Sequence, residues 1–311
     1  NVDRLAKQGL KFTDGYAANP VCSPTRYGIQ TGRYPTRKEA TNFFGGNRSG
    51  KFAPARVHHR MDQEEVTIAE ALKEQGYATF YAGKWHLGPT EDFWPENQGY
   101  DVNAGGFKAG GPYGGKKYFS PYGNPRLSDG PDGEHLPDRL ATDTCKFMEA
   151  NKGKPFFAML SFYSVHTPLM GREDLVKKYQ EKSDKLDLKK EEIFESEFPR
   201  KVRAIQDHVI YGAMVEAMDE AVGKVIKGLK DSGKYDDTVI IFFSDNGGLS
   251  TSEGSPTSNY PLRAGKGWMY EGGIREPLLL RVPGVTMAGT SSELLVTSTD
   301  FFPTLLDACG K

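Results

Sequence analysis

Thr238-Val239-Ile240-Ile241-Phe242-Phe243-Ser244-Asp245-Asn246-Gly247-Gly248 is an apolar run that passes without a break into a polar turn. A β-branched and aromatic run of this kind is typical of a fully buried strand. Upstream, between Ile205 and Leu229, the residues Met214, Met218, Ala221, Val222, Val225 and Leu229 recur at three- and four-residue intervals. That spacing predicts a long amphipathic helix, which Gly233 ends. The same alternation recurs along the chain. Thr67 and Glu70 have capping-box spacing ahead of a helix that Gly76 closes, and a strand over Tyr77–Ala82 follows. Phe156–Phe162 reads as a strand running into Ser164-Val165-His166-Thr167-Pro168, and Leu278–Val282 as another. Val2–Gln8 reads as a helix with Gly9 at C′, and Phe301–Ala308 as a terminal helix capped by Asp300. The pattern predicts an α/β fold with a largely parallel sheet. Two stretches break it. Asn103–Pro137 reads as long surface loops, and Arg172–Arg203, dense in Lys and Glu, as a solvated helix or insertion.

Composition narrows the function. The 311 residues hold 37% hydrophobic residues, enough for a sizeable core, and 40 Lys+Arg against 41 Asp+Glu. A net charge of -1 gives no global attraction to nucleic acid or anionic membrane, so any anion site must be local. No apolar run approaches membrane-spanning length. The 3 cysteines, Cys22, Cys145 and Cys309, are too few and too scattered for a disulfide framework or a zinc site.

In an open α/β sheet, ligands bind beyond the carboxyl ends of the strands. Those ends deliver Gly83-Lys84-Trp85-His86-Leu87-Gly88, then His166, then Ser244-Asp245-Asn246-Gly247-Gly248. Each has a plain structural reading. Asp-Asn-Gly-Gly alone is an ordinary turn, although at a strand end its two side-chain oxygens suit Ca²⁺ or Mg²⁺. His166 alone reads as a hydrogen-bonded structural residue. Lys84 and His86, two apart on an extended segment, point the same way, as an anion-binding pair should.

Asn19-Pro20-Val21-Cys22-Ser23-Pro24-Thr25-Arg26, followed by Thr31-Gly32-Arg33, carries the sharpest signal. Pro24 suits the first turn of a helix with Ser23 as N-cap and Gly32 at its end. Cys22 then sits at the positive helix end, and Arg26, one turn in, adds a fixed charge. The thiol is either a buried cysteine beside a helix start or an activated nucleophile.

The Cys22-Ser23-Pro24-Thr25-Arg26 segment with Thr31-Gly32-Arg33 resembles the signature of the formylglycine-dependent sulfatases. Gly83–Gly88 looks like that family's second signature. His166-Thr167-Pro168, Asp245–Gly248 and Gly265-Lys266-Gly267-Trp268 through Glu271-Gly272-Gly273 match in order, so the resemblance covers Val2 to Leu306. It implies a fold like that of sulfatases and alkaline phosphatase, with helices on both faces of the sheet. It further implies a sulfuric ester hydrolase acting on a sulfated carbohydrate or aryl sulfate. Cys22 would be oxidised by a formylglycine-generating maturation enzyme. The hydrated aldehyde would attack sulfur with one hydroxyl, and the second would let the sulfated diol collapse and release sulfate. Asp245, Asn246 and the hydrated residue 22 would ligate Ca²⁺, with Mg²⁺ as the alternative. Arg26 would hold the formylglycine, and Lys84 and Lys266 would clamp the sulfate. His86 would be the base for elimination, and His166, with Lys266, would protonate or stabilise the leaving alcohol. The location implied is periplasmic, secreted or lysosome-like.

The sequence departs from the family pattern at both ends. An adjacent Asp pair that ends the family's first strand has no counterpart downstream of Asn1, and the family continues past Lys311 into a smaller domain. The expectation is a catalytic domain over 1–311, trimmed at both ends, lacking the first strand and the C-terminal subdomain, and binding metal poorly. Competing readings are a phosphodiester or phosphonate monoester hydrolase of the same fold, and a catalytically inactive glycan-binding homologue. The segments 103–137 and 171–200 are expected to line the approach, with Tyr113, Arg126, His135 and Arg172 as candidates for sugar contacts.

Overall fold

The computed structural model describes residues 1–47, 50–186, 188 and 190–310. Among them run the strands β1 (Leu10–Phe12), β2 (Gly15–Tyr16), β3 (Ala78–Gly83), β4 (Val102–Ala104), β5 (Phe156–Ser161), β6 (Phe194–Glu197), β7 (Arg200–Arg203), β8 (Ile240–Phe243), β9 (Leu278–Arg281), β10 (Thr290–Ser292) and β11 (Val296–Thr297). The helices are α1 (Val2–Gln8), α2 (Cys22–Thr31), α3 (Ile68–Lys73), α4 (Leu136–Ala150), α5 (Glu173–Ser183), α6 (Lys190–Ile193), α7 (Val209–Asp231), α8 (Glu271–Ile274) and α9 (Phe301–Ala308).

The burial of β3 at every position explains the layering. Ala78, Phe80 and Ala82 pack with Leu136, Leu140 and Phe147 of α4 and Met214 of α7. Tyr81, on the opposite face, packs with Tyr27 of α2, Ala69 of α3, Trp85 and Tyr100. Side chains alternate across a strand, so a run buried at every position needs cover on both faces. The predicted α/β arrangement with helices on both faces is therefore present. β4, β3 and β5 form one parallel sheet. A second sheet has the order β10-β1-β9-β8, in which β9 runs antiparallel to both β1 and β8.

Several local expectations are corrected. β8 starts at Ile240 rather than Thr238, and its residues are half-buried rather than fully buried. Among the described residues it pairs only with β9, as β5 pairs only with β3, so each has one edge without a ladder partner. Gly9 is extended rather than left-handed. Asp300 closes a capping box with Thr297 on a short 3₁₀ turn and makes no cap bond to α9. The charged stretch forms α5, whose Leu175, Val176 and Tyr179 pack on Ala213 and Ala217 of α7, and then the β6–β7 hairpin. Positions 187 and 189 of that stretch lie outside the described residues. The Thr67–Glu70 capping box is present as predicted.

Gly83 positions the first functional strand end. Its φ of +94° lies where side chains are strained, and a Cβ there would stand 2.0 Å from the Ser161 carbonyl oxygen. Gly83→Ala should therefore destabilise the protein by more than about 2 kcal/mol in urea denaturation. An unchanged midpoint would contradict this account of the turn.

Candidate active site

Cys22 is the first residue of α2, preceded by Val21 in extended conformation as N-cap. This corrects the assignment of Ser23 as N-cap. Ser23 lies inside the first turn, and its Oγ accepts from the Phe44 amide at 2.9 Å. Gly32 ends the helix in the left-handed conformation, as predicted. Cys22 is buried at the helix N-terminus, where free N–H groups favour negative charge. Its Sγ lies 3.3 Å from His86 Nδ1. His86 Nε2 lies 3.0 Å from the Phe44 carbonyl, to which it can only donate, so Nδ1 is free to take a proton from residue 22. His86 has a φ of +60°, so the Lys84–His86 segment is a turn and not the extended stretch expected. The two side chains still act on one point, through a route that simple alternation does not describe.

Arg26 is the hub of the site. Its Nε donates to Asp245 Oδ2 at 2.8 Å. Its Nη1 donates to the Lys84 carbonyl at 2.7 Å and to Ser161 Oγ at 2.6 Å. The Tyr81 hydroxyl donates to the same Lys84 carbonyl. One guanidinium thus ties α2 to the ends of β3, β5 and β8. Lys84 Nζ stands 4.0 Å from Asp245 Oδ2. Burial works against charge on Asp245, yet Arg26, Lys84 and Lys266 hold its carboxyl down at about 2. Burial lowers the Lys84 pKa, an effect that Cys22 and Asp245 oppose. At Cys22 burial disfavours the thiolate, but Lys84 and the His86 hydrogen bond overcome it and bring the thiol to about 6.

A second group meets this one. Lys266 Nζ lies 3.0 Å from His166 Nε2, and His166 Nδ1 lies 2.9 Å from the Thr167 carbonyl. A carbonyl only accepts and an ammonium only donates, so His166 carries its proton on Nδ1 and offers the Nε2 lone pair to Lys266. Burial, with Lys84 and Lys266 nearby, pushes His166 down to about 4. Near neutral pH His166 is therefore the neutral member of this pair. The Lys266 amide bonds the Gly248 carbonyl at 3.0 Å, and the Gly267 amide bonds the Pro20 carbonyl at 2.8 Å. These bonds fasten the Lys266 loop both to the Asp245–Gly248 turn and to the chain just before Cys22.

Sequence reasoning missed Glu253. It accepts from Thr167 Oγ1 at 2.7 Å and pairs with Lys266 at 3.6 Å, holding a negative charge beside the Lys266–His166 pair. Nothing in the polar Ser250–Ser258 run marks it, because no strand or motif points to it. Ser161 was legible in principle as the last residue of β5. Glu276 was also missed. It is buried, its Oε1 has no partner among the described residues, and burial, with Asp245 nearby, pushes its carboxyl up to about 9.

Of the four candidates for sugar contacts, only Tyr113 reaches the site. Its hydroxyl lies 3.5 Å from His166 Nδ1, and its ring meets the imidazole edge to face. Arg126 instead pairs with Glu91 and Glu96 over the Trp94 ring. Arg172 pairs with Asp174 and Glu220. His135 is buried against Phe119 and Tyr118, with neither ring nitrogen bonded among the described residues. Each is engaged or enclosed by its own surroundings.

Asp245 and Asn246 are the residues that could hold a hard cation. Asn246 Oδ1 is buried and has no partner among the described residues, while its Nδ2 donates to the Gly247 carbonyl. The donor type fits Ca²⁺, but the number falls short of the six to eight oxygens such an ion takes. Among the described residues, no group of three or more His, Cys, Asp and Glu side chains is placed to hold a metal ion.

The unmodified Cys22 gives the site a measurable signature. Thiolate absorbance that is lost in Cys22→Ser should rise with an inflection near pH 6, well below the ordinary thiol value, and Lys84→Met should move it upward. The sign for stability follows. The thiol ionises more readily when folded, so its contribution grows from pH 6 towards 9 and is lost on acidification through 6. An inflection at the ordinary value would contradict the assignment of Lys84 and His86 to this thiol.

Comparison with known proteins identifies the family. The chain is 30% identical to a sulfatase of Formosa agariphila over 371 residues, covering 100% of this chain and 62% of that protein. It is 32% identical to an arylsulfatase of Hemicentrotus pulcherrimus over 331 residues, covering 99% of this chain and 53% of that protein. The solved structure of Ps i-CgsB in complex with k-i-k-neocarrahexaose superposes with a TM-score of 0.79 at 29% identity, covering 100% of this chain and 66% of that one. The chain thus spans between half and two thirds of the length of these relatives. Residues 1–311 match the sulfatase family, and the chain belongs to it.

Proposed function

We propose that the site hydrolyses sulfate esters of carbohydrates or aryl alcohols, with residue 22 as nucleophile after its oxidation to formylglycine by a maturation enzyme. The observation that carries the proposal is the meeting of Cys22, Arg26, Lys84, His86, Asp245 and the Lys266–His166 pair at the ends of β3, β5 and β8. When formed, the aldehyde hydrate supplies one hydroxyl to attack sulfur and a second to expel the sulfate afterwards. A bound Ca²⁺ on Asp245 and Asn246 would polarise the sulfuryl oxygens.

The chain's own residues divide the remaining work. Lys84 and Lys266 offer positive charge to the sulfuryl oxygens, in a buried setting where such charge acts strongly. His86 Nδ1 faces residue 22 with its lone pair and can accept a hydroxyl proton there. The leaving alkoxide needs a proton as the S–O bond breaks. Lys266 carries it, with neutral His166 holding the amine in place through Nε2. Of the two roles expected of His166 with Lys266, protonating or stabilising the leaving alcohol, the proton falls to Lys266 and the support to His166. Arg26 fixes Asp245 and the α2 terminus, keeping nucleophile and clamp in register. An exported location and a sulfated glycan as substrate belong to the same proposal, and Ps i-CgsB bound to a neocarrahexaose supports the latter.

Two measurements bear on this reading. With the matured protein, an aryl sulfate should be cleaved faster than an aryl phosphonate monoester, and Lys266→Ala should lower the rate by ~10²–10⁴. A preference for the phosphonate would transfer the site to the competing class. Calorimetric titration of this chain with Ca²⁺ should show affinity no tighter than about millimolar, because two side-chain oxygens are an incomplete shell. Tight one-to-one binding would contradict the donor set described above.

A further inference from the structure

Beside the pocket lies an aromatic surface with no role in the chemistry. Trp268 follows Lys266 by two residues, so their Cα atoms are at most ~8 Å apart. The Trp268 and Tyr270 rings stack, with centroids 6.1 Å apart and planes inclined by 20°. The Arg263 guanidinium lies 3.8 Å from the Tyr270 centroid. Arg263 is held by Glu197 of β6 through Nε at 3.0 Å and Nη2 at 2.8 Å, which leaves Nη1 without a protein partner among the described residues. The backbone beneath is equally fixed: the Trp268 amide bonds the Gly265 carbonyl, the Gly272 amide that of Arg263, and the Gly273 amide that of Tyr270. Yet Tyr270 is 41% exposed and Met269 69% exposed.

The stack is only partly enclosed: Trp268 is half-buried and Tyr270 is exposed, although the Arg263 guanidinium and the Trp268 ring lie against Tyr270. It offers the solvent-exposed parts of the Tyr270 and Trp268 rings, with an Arg263 N–H that has no protein partner among the described residues beside them. That is the complement of a pyranose ring, which presents C–H groups on its faces and hydroxyl or sulfate oxygens at its edge. Tyr113 stands edge-on to His166, and the Trp268 stack follows Lys266, so the two aromatic groups belong to the two partners of one hydrogen-bonded pair.

We propose that Trp268, Tyr270 and Arg263 form a glycan subsite that takes a pyranose ring adjoining the sulfated one, so that the preferred ligand is an oligosaccharide. This rests on the reading of the pocket as a sulfate-ester site. The chain carries its own reporter. Of its 3 tryptophans, Trp85 and Trp94 are 0% and 5% exposed, which leaves Trp268 as the one reachable by ligand. The probes are sulfated tetrasaccharides of galactan and glycosaminoglycan type, the matching monosaccharide sulfates, and the desulfated tetrasaccharides.

A tetrasaccharide should shift the Trp268 emission and bind roughly tenfold more tightly than its monosaccharide sulfate. Trp268→Phe should abolish the shift, and Tyr270→Ala should bring the two affinities together, with circular dichroism confirming that both variants are folded. Equal affinity for both lengths with unchanged emission would overturn the subsite while leaving the sulfate pocket standing. Binding of neither sulfated ligand would overturn both. Emission that follows protein concentration rather than sugar would assign the stack to contact between copies of the chain and overturn the proposal.

Discussion

The ion pair between buried Arg26 and half-buried Asp245 is the interaction on which the rest of the site depends. Arg26 comes from α2 and Asp245 from the end of β8, and the same guanidinium also holds the Lys84 carbonyl after β3 and Ser161 of β5. Two charges removed from water are costly unless each is paired and hydrogen-bonded, and here both conditions are met. Removing Asp245 would leave the Arg26 guanidinium as a buried charge without its carboxylate partner. The pair therefore constrains geometry more than it adds stability. It sets the distance between a helix terminus carrying Cys22 and three strand ends carrying Lys84, Ser161 and Asp245.

Around that constraint the site separates two proton functions by environment. At Cys22, His86 holds its Nε2 proton on the Phe44 carbonyl, which turns Nδ1 towards residue 22 as the atom that can exchange a proton with it. At the opposite group, His166 commits its Nδ1 proton to a carbonyl and receives Lys266 at Nε2. Two histidines thus each commit one ring N–H to a backbone carbonyl, His86 through Nε2 and His166 through Nδ1. Glu253 places a counter-charge beside Lys266 in a group otherwise rich in cations. The balanced composition of the chain concealed this local concentration of positive charge.

Much of the fold and most of the site were legible, for identifiable reasons. Helix periodicity in α7 and the Thr67–Glu70 cap depend on neighbours in sequence, so they could be read directly. Strand ends were legible because an apolar run stops where polar chemistry begins, as at Gly83 and Phe243. What was not legible depends on partners distant in the chain. The half-exposure of β8 follows from its pairing on one side only. The fates of Arg126, Arg172 and His135 are set by Glu96, Glu220 and Phe119, none of which their own motifs announce. Ser23 was misread as N-cap because Pro24 fits the third position of a first turn as well as the first.

The account stands or falls on the chemical state of residue 22. The direct measurement is mass spectrometry of the peptide containing Cys22, after the chain is produced together with a formylglycine-generating enzyme. Conversion of thiol to aldehyde lowers the peptide mass by ~18 Da, and that loss is the predicted result. A Cys22 peptide that keeps its full thiol mass under those conditions would contradict the proposed nucleophile.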